Sequence, residues 1–464
     1  MNIVFIETTN ATPHLETSFE LVLKHLKNGD HVHYYFVGHA VEYNEFIVTS
    51  LLDIFLPENK AASLVEHPNF KFYNVKFIQD SAYYNIPYFQ TVENLKDYTF
   101  GNFKAGMSAY SSLISAVRCS SPSVILNQDF IKILIRSGIK IYKFSRTVFS
   151  QQSVDLAYLF NGRFAINRAI LDAALEQNIE VRIHERGANS SRYIAWSFQP
   201  HDITKFSQNI VNAWQGETIS DKVELAKQYF FERRNKEPKD WYSYTKNQVV
   251  GFLPVKKRAR TIAYFSQSDD EYISVGDLVK WDKWPNQITA VQDLVDIVSR
   301  ESGSLFLIIR LHPHLIRKDP RELDPWLSLS LPANCLLLLP DDPTDTYALI
   351  EMADVVVTCS STVGIESVFW GTPSICLGPS LYSNLDAVYL PNDKKELEDV
   401  LIEESLEVFP ERSLPYGFYM ATFGELFLHY IPDSLFSGSF LGVNLQRFGL
   451  FGYFKKLRSM VIIP

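Results

Sequence analysis

Within residues 304–378 four short runs are apolar on both strand faces: Leu305–Arg310, Leu336–Leu339, Val355–Thr358 and Ser374–Leu377. Polar loops and helix-like segments separate them. Strands buried on both sides and spaced by helices predict a parallel sheet covered on both faces. In such sheets ligands sit outside the carboxyl ends of the strands, where loops lead into helices. Two of those ends carry polar chemistry here, His312-Pro313 and Ser360-Ser361-Thr362. That arrangement suits a nucleotide phosphate.

A second series opens the chain. Asn2–Glu7 reads as an apolar strand and Thr8–Thr12 as its polar loop. A helix runs from Pro13 to about Lys27, with Leu15, Phe19, Val22, Leu23 and Leu26 at helical spacing. Asn28-Gly29-Asp30 ends it, and His31–Val37 alternates as the next strand. This β-α-β opening starts a Rossmann-like layer, although its first turn lacks GxGxxG. Residues 40–125, rich in Tyr, Phe and Asn, read as mixed helices. Next come a helix over Ser123–Arg136 and strands over Lys140–Lys143 and Leu156–Phe160, the last ending in Asn161-Gly162-Arg163. A helix from Ala165 to about Gln177 and a strand over Glu180–His184 follow. That strand ends in Glu185-Arg186-Gly187.

Residues 200–258 read as a solvated, charged helix and a linker closing on Lys256-Lys257-Arg258-Ala259-Arg260. Thr261–Phe265 then begins the second sheet, with a helix at about 286–302 and another over Lys394–Glu403. A chain of 464 residues exceeds the roughly 250–300 at which single cores stop growing. We therefore expect an acceptor-side Rossmann-like domain at 1–255, a nucleotide-binding one at 256–405, and a helical C-terminal segment at 406–464. That last segment either packs back on the first domain or touches a membrane. Its residues from Ser434 onward combine Phe436, Phe440, Phe448 and Tyr453 with Arg447, Lys455, Lys456 and Arg458 and hold no acidic residue. A basic aromatic segment of that kind can lie on an anionic surface.

Composition narrows the classes. With 44 basic against 53 acidic residues, nothing global points to nucleic acid, so any anion site is local. Cys119, Cys335, Cys359 and Cys376 have no CxxC spacing and read as small core residues in a reducing compartment. The N-terminus lacks the basic and long apolar regions of a signal peptide, and no run approaches the ~20 apolar residues of a membrane span. A cytoplasmic protein, with peripheral contact to the inner membrane face as an option, is the expectation. HExxH, clustered Cys/His, a Walker motif and GxSxG are all missing. Asp341-Asp342-Pro343 is most simply a turn. No metal or resident cofactor is expected.

The remaining candidates sit at strand ends. Pro313 holds His312 in extended geometry, and an imidazole there can donate to phosphate oxygens or carry charge beside them. Ser360, Ser361 and Thr362 occupy the start of a helix, where free N–H groups and the dipole attract an anion; ordinary N-capping would use the same residues. Gly364 permits close approach. Glu366 can hold a ribose hydroxyl pair or act as a capping carboxylate. Gln267 and Ser268 can reach the same phosphate. Trp281 and Trp284 can stack on a base or simply pack. In the first half Glu185 can act as general base, with His184 its competitor and a salt bridge to Arg186 or Arg192 the plain alternative. His14, Glu16, Asn161 and Arg163 are further cleft residues.

RLHPH at 310–314 and CSSTVGIESVFWGTPSI at 359–375 resemble the C-terminal domain of GT-B glycosyltransferases of the bacterial capsule and surface polysaccharide group. Polysialyltransferases and Kdo transferases are nearest in pattern. The resemblance implies an α/β GT-B fold, two Rossmann-like domains facing across a cleft. It implies a nucleotide-sugar donor, a CMP-sugar favoured, held through His312, Pro313, Ser360, Ser361 and Thr362. HERG at 184–187 resembles the group's acidic-x-Gly motif, which makes Glu185 the base; Arg186 departs from the acidic or variable middle position. A glycan or glycolipid acceptor would then meet His14, Asn161, Arg163, His184 and Arg186. Transfer would be metal-independent and inverting. Two rivals stand beside this: a sugar-nucleotide epimerase, which needs a further acid/base pair, and a catalytically silent assembly partner.

Overall fold

The computed structural model describes residues 1–47, 64, 66–78, 84–216, 219–236, 248–256, 260–403, 405–434 and 437–444. The first half runs β1 (Asn2–Glu7), α1 (His14–Lys27), β2 (His31–Phe36), β3 (Phe70–Asn74), α2 (Val92–Lys96), α3 (Ala105–Val117), α4 (Gln128–Ser150), β4 (Leu156–Phe160), α5 (Ala165–Glu176), β5 (Glu180–Arg186), β6 (Arg192–Trp196), α6 (Ile203–Gly216) and α7 (Lys222–Arg234). The second half runs β7 (Arg260–Phe265), α8 (Gln287–Arg300), β8 (Leu305–Arg310), β9 (Cys335–Leu338), α9 (Thr346–Met352), β10 (Val355–Thr358), α10 (Val363–Phe369), β11 (Ser374–Cys376) and α11 (Lys394–Ile402). After it come α12 (Leu414–Thr422), β12 (Glu425–Leu426), β13 (Tyr430–Ser434), β14 (Ser437–Phe440) and β15 (Val443–Asn444).

The two main sheets share one topology. The second has order β11-β10-β7-β8-β9 and is parallel throughout, as its doubly apolar strands require. The first has order β12-β6-β5-β4-β1-β2-β3, parallel from β5 to β3 and closed by antiparallel β6 and β12. In each, chain order reverses beside the first strand, between β1 and β4 and between β7 and β10. Loops leaving such a pair diverge and open a crevice. This is the two-domain α/β architecture expected of a GT-B chain.

Three expectations need correction. The strand expected at Lys140–Lys143 does not exist: α4 continues through it as one helix to Ser150. Gly138, which stands between the two expected elements, is a packing position. A Cβ there would lie 2.7 Å from the Phe103 ring and 3.0 Å from the Ala165 carbonyl oxygen. The charged segment at 222–234 is not merely solvated. Phe230 is fully buried and stacks on Phe369 of α10 at 4.2 Å between centroids, a burial worth about 1.5–3 kcal/mol. Among the described residues the C-terminal segment is α-helical only at α12, preceded by a 3-10 turn at Pro410–Ser413. That helix packs on α6 and α7, β12 joins the first sheet, and β13–β15 form a small antiparallel sheet. Leu441 and Gly442, at φ 49° and 79°, make the two-residue turn between β14 and β15, a geometry that ends any helix. Residues 445–464, with most of the basic aromatic stretch, lie outside the described residues. No helix among the described residues is long and apolar enough to cross a membrane.

An apolar cluster joins the halves: Trp196, Ile210 and Phe230 pack with Ile365, Val368 and Tyr382, and with Tyr416 and Tyr419 of α12. On another side Glu322 accepts from the Ser120 amide and hydroxyl at 2.7 and 2.8 Å. The strand ends of both sheets therefore face a shared space.

Candidate active site

A cleft of about 660 Å³ opens at the β7/β10 crevice. Its second-half wall includes Ser266, Arg310, His312, Pro313, Ser361, Thr362 and Glu366. Opposite them stand Arg233 of α7 and Ala188, Asn189 and Arg192 from the turn after Glu185.

His312 is set by backbone bonds. Its amide donates to Ser266 Oγ at 2.8 Å, and its Nδ1 accepts from the His314 amide at 3.1 Å. An imidazole that accepts at Nδ1 carries its proton on Nε2. Burial, with His314, Arg310 and Lys318 adding to it, pushes the His312 pKa down to about 4. The ring is thus a neutral donor at pH 7, not the cation that sequence alone allows. Arg310 behind it is buried, and its guanidinium donates to the Leu339 and Asp342 carbonyls. Asp342 Oδ1 accepts from the Thr344 amide, so 341–343 is the turn expected.

Across the crevice Ser361 Oγ accepts from the Val363 amide at 3.4 Å, while Ser360 Oγ is buried without a hydrogen-bond partner among the described residues. Thr362 Oγ1 donates to Glu366 Oε1 at 2.9 Å and accepts from Arg233 Nη2 at 3.2 Å. Glu366, 2% exposed, also accepts from Arg233 Nε at 2.9 Å and from the Tyr347 hydroxyl at 2.7 Å. Both its oxygens are engaged by protein donors, so Glu366 fixes Thr362 and Arg233 in place. Gly364 is needed for protein, too. A Cβ would lie 2.5 Å from the Tyr382 hydroxyl, which donates to the Ser361 carbonyl.

Gln267 and Ser268 are not brought to this cleft. Gln267 lines a separate cavity of about 120 Å³ with Asp269 and Gln287, and Ser268 Oγ donates to Asp270. The preceding residue, Ser266, takes the place expected of them. Trp284 is buried, its indole N–H on Asp293.

In the first half Glu185 lies at the end of β5 and is 19% exposed. Asn161 Nδ2 donates to its Oε1 at 2.7 Å, and His14 Nδ1 stands 3.9 Å from its Oε2. Burial raises its carboxyl pKa, although Asn161 and the charges of Arg163 and Arg186 work against the shift. Arg192 instead donates to the Gly424 carbonyl. Gly187 has a plain reason: a Cβ would lie 2.6 Å from that of Arg192. Arg163 reaches across to the Ser274 hydroxyl in the second half.

His184 cannot serve as base or acceptor contact. It is fully buried, and its Nε2 is 2.8 Å from Glu7 Oε2. Glu7 Oε1 accepts the Thr8 and Thr9 amides at 2.8 and 2.9 Å, so one hidden carboxylate anchors both the β1 turn and the residue behind Glu185. Glu16 accepts from Thr12 at 3.1 Å. Sequence reasoning missed Glu7 and Arg233. A carboxylate closing an apolar strand was the available signal for the first; the second lies in a charge run with no signal beyond its aromatic neighbours. Among the described residues no group of three His, Cys, Asp or Glu side chains is placed to hold a metal ion.

No family model and no curated protein sequence matches the chain. Solved structures share its general arrangement at low similarity. The beta Kdo 2,4 transferase KpsC of Thermosulfurimonas dismutans is 13% identical over 56% of this chain and 79% of its own, with a TM-score of 0.38. UDP-GlcNAc 2-epimerase from Neisseria meningitidis, bound to UDP-GlcNAc, is 13% identical over 91% and 97%, with a TM-score of 0.32. The calicheamicin glycosyltransferase CalG4 is 12% identical over 90% and 94%, at 0.27.

Proposed function

We propose that this chain transfers a sugar from a nucleotide-activated donor, a CMP-sugar favoured, to a growing surface polysaccharide or glycolipid. The observation that carries the reading is the convergence of His312, Ser361, Thr362 and Arg233 on one crevice at the β7/β10 reversal. A phosphate seated there meets a neutral N–H donor, the Ser361 hydroxyl and a guanidinium that Thr362 and Glu366 hold in place. Such preorganised groups stabilise the charge that develops on a leaving phosphate. The cleft volume also lies within the roughly 300–1,000 Å³ usual for small-molecule sites.

Glu185 supplies the base in this reading. Its raised pKa moves it towards the working range of a proton acceptor at neutral pH. The acceptor hydroxyl attacks the anomeric carbon, its proton passes to Glu185, and the bond from that carbon to the phosphate oxygen breaks. In-line displacement inverts the carbon. Residues 1–255 then present the acceptor and 256–405 the donor.

A thermal-shift screen against CMP, CDP, UDP and GDP tests the donor half. One of them at 100 times its dissociation constant should add about 2.7 kcal/mol of apparent stability. If none shifts the transition, the proposal fails.

A further inference from the structure

A second cavity, about 410 Å³, lies on the other flank of β10, where β11 ends. Both halves of the chain line it. Asp202, Thr204 and Ser207 come from the start of α6, while Trp281, Ser380 and Asn384 come from the second half. It is a built site. Trp281 packs so closely on Gly378 that a Cβ there would be 2.9 Å from the ring. Asn384 Nδ2 donates to Ser207 Oγ at 3.0 Å across the junction, and Asp202 accepts the Lys205 amide at 3.1 Å.

The chemistry selects the ligand class. Lys280 and Lys283 are balanced by Asp202 and Asp282, so the cavity is unsuited to a phosphate. An indole beside carboxylate, amide and hydroxyl groups suits a pyranose, whose C–H face lies on an aromatic ring while its hydroxyls take the polar groups. Position agrees. Leu278 lines both this cavity and the narrow gap bounded by Arg163, Gln199 and Ser274. Arg163 follows Asn161, the partner of Glu185, by two residues. Leu278 thus stands between this cavity and the Arg163 side of the junction.

We infer that the Trp281 cavity is a glycan subsite that holds the acceptor chain away from the reacting end. The inference rests on the glycosyltransferase reading and makes the acceptor an oligosaccharide. Saturation-transfer NMR on the full chain, with short and long chitooligosaccharides and sialic acid oligomers as probes, tests it beside the nucleotide thermal shift. The wild type should give ring C–H signals with a longer oligomer. Trp281→Ala should weaken binding about tenfold or more, and Trp281→Phe should retain most of it. Thr204→Trp, which fills the cavity from its rim, should abolish the signal even if the alanine variant does not fold. All folded variants should keep the nucleotide shift. An oligomer signal that survives both Trp281→Ala and Thr204→Trp overturns the subsite alone, as does absence of any signal from a protein that binds nucleotide. Loss of nucleotide binding by the wild type removes the transferase reading with it.

Discussion

Glu185→Gln is expected to lower turnover by about 10²–10⁴-fold, the usual contribution of a positioned general base, while nucleotide affinity stays unchanged. The amide keeps the size of the side chain and can still accept from Asn161, so the loss reports proton transfer rather than collapse of the strand end. Nucleotide affinity is spared because the phosphate groups belong to the β7/β10 crevice, outside β5. The wild-type rate should fall as pH drops through the raised carboxyl pKa, because the protonated acid cannot accept a proton; the glutamine variant should lose that limb. The pairing of initial rates with nucleotide titration decides the matter. A loss of only a few-fold removes Glu185 from this role.

Arg233→Ala should weaken nucleotide binding about 10- to 100-fold. A charge-assisted hydrogen bond is worth roughly 1.5–3 kcal/mol, and Arg233 is the cation nearest Thr362. A second cost follows. Glu366 loses its ion-pair partner and keeps only hydroxyl donors. Breaking a fully buried pair costs about 3–5 kcal/mol, but the Arg233 side chain is 39% exposed, so about 2 kcal/mol is the better figure. Arg233→Lys should keep part of the affinity, because a lysine preserves charge but cannot bridge Glu366 and Thr362 with one planar fork. Calorimetric titration with the stabilising nucleotide, beside urea denaturation, separates the two effects. Unchanged affinity in a folded Arg233→Ala protein would place the phosphate elsewhere.

Strands were the most legible part of the chain. β1, β4, β8 and β10 lie where their apolar runs end, because burial on both faces leaves few other options. Their polar exits were legible too: His312 after β8 and Ser361-Thr362 after β10 line the crevice that position alone suggested. Reasoning failed where a residue served a distant neighbour. Gly138 resembles a helix stop but makes room for Phe103, and Gly364 serves Tyr382 instead of a ligand. His184 and Glu185 are adjacent, yet the strand's alternation buries one on Glu7 and leaves the other partly exposed beside Asn161. Arg233 is 129 residues from Thr362, and nothing local marks which arginine of a charged helix will cross to the other half.

The most direct measurement is the position of the phosphate in a complex with the nucleotide that gives the largest thermal shift. The account predicts phosphate oxygens within hydrogen-bonding distance of His312 Nε2, the Ser361 hydroxyl and the Arg233 guanidinium. A nucleotide phosphate bound in any other cavity, with this crevice left empty, would contradict it.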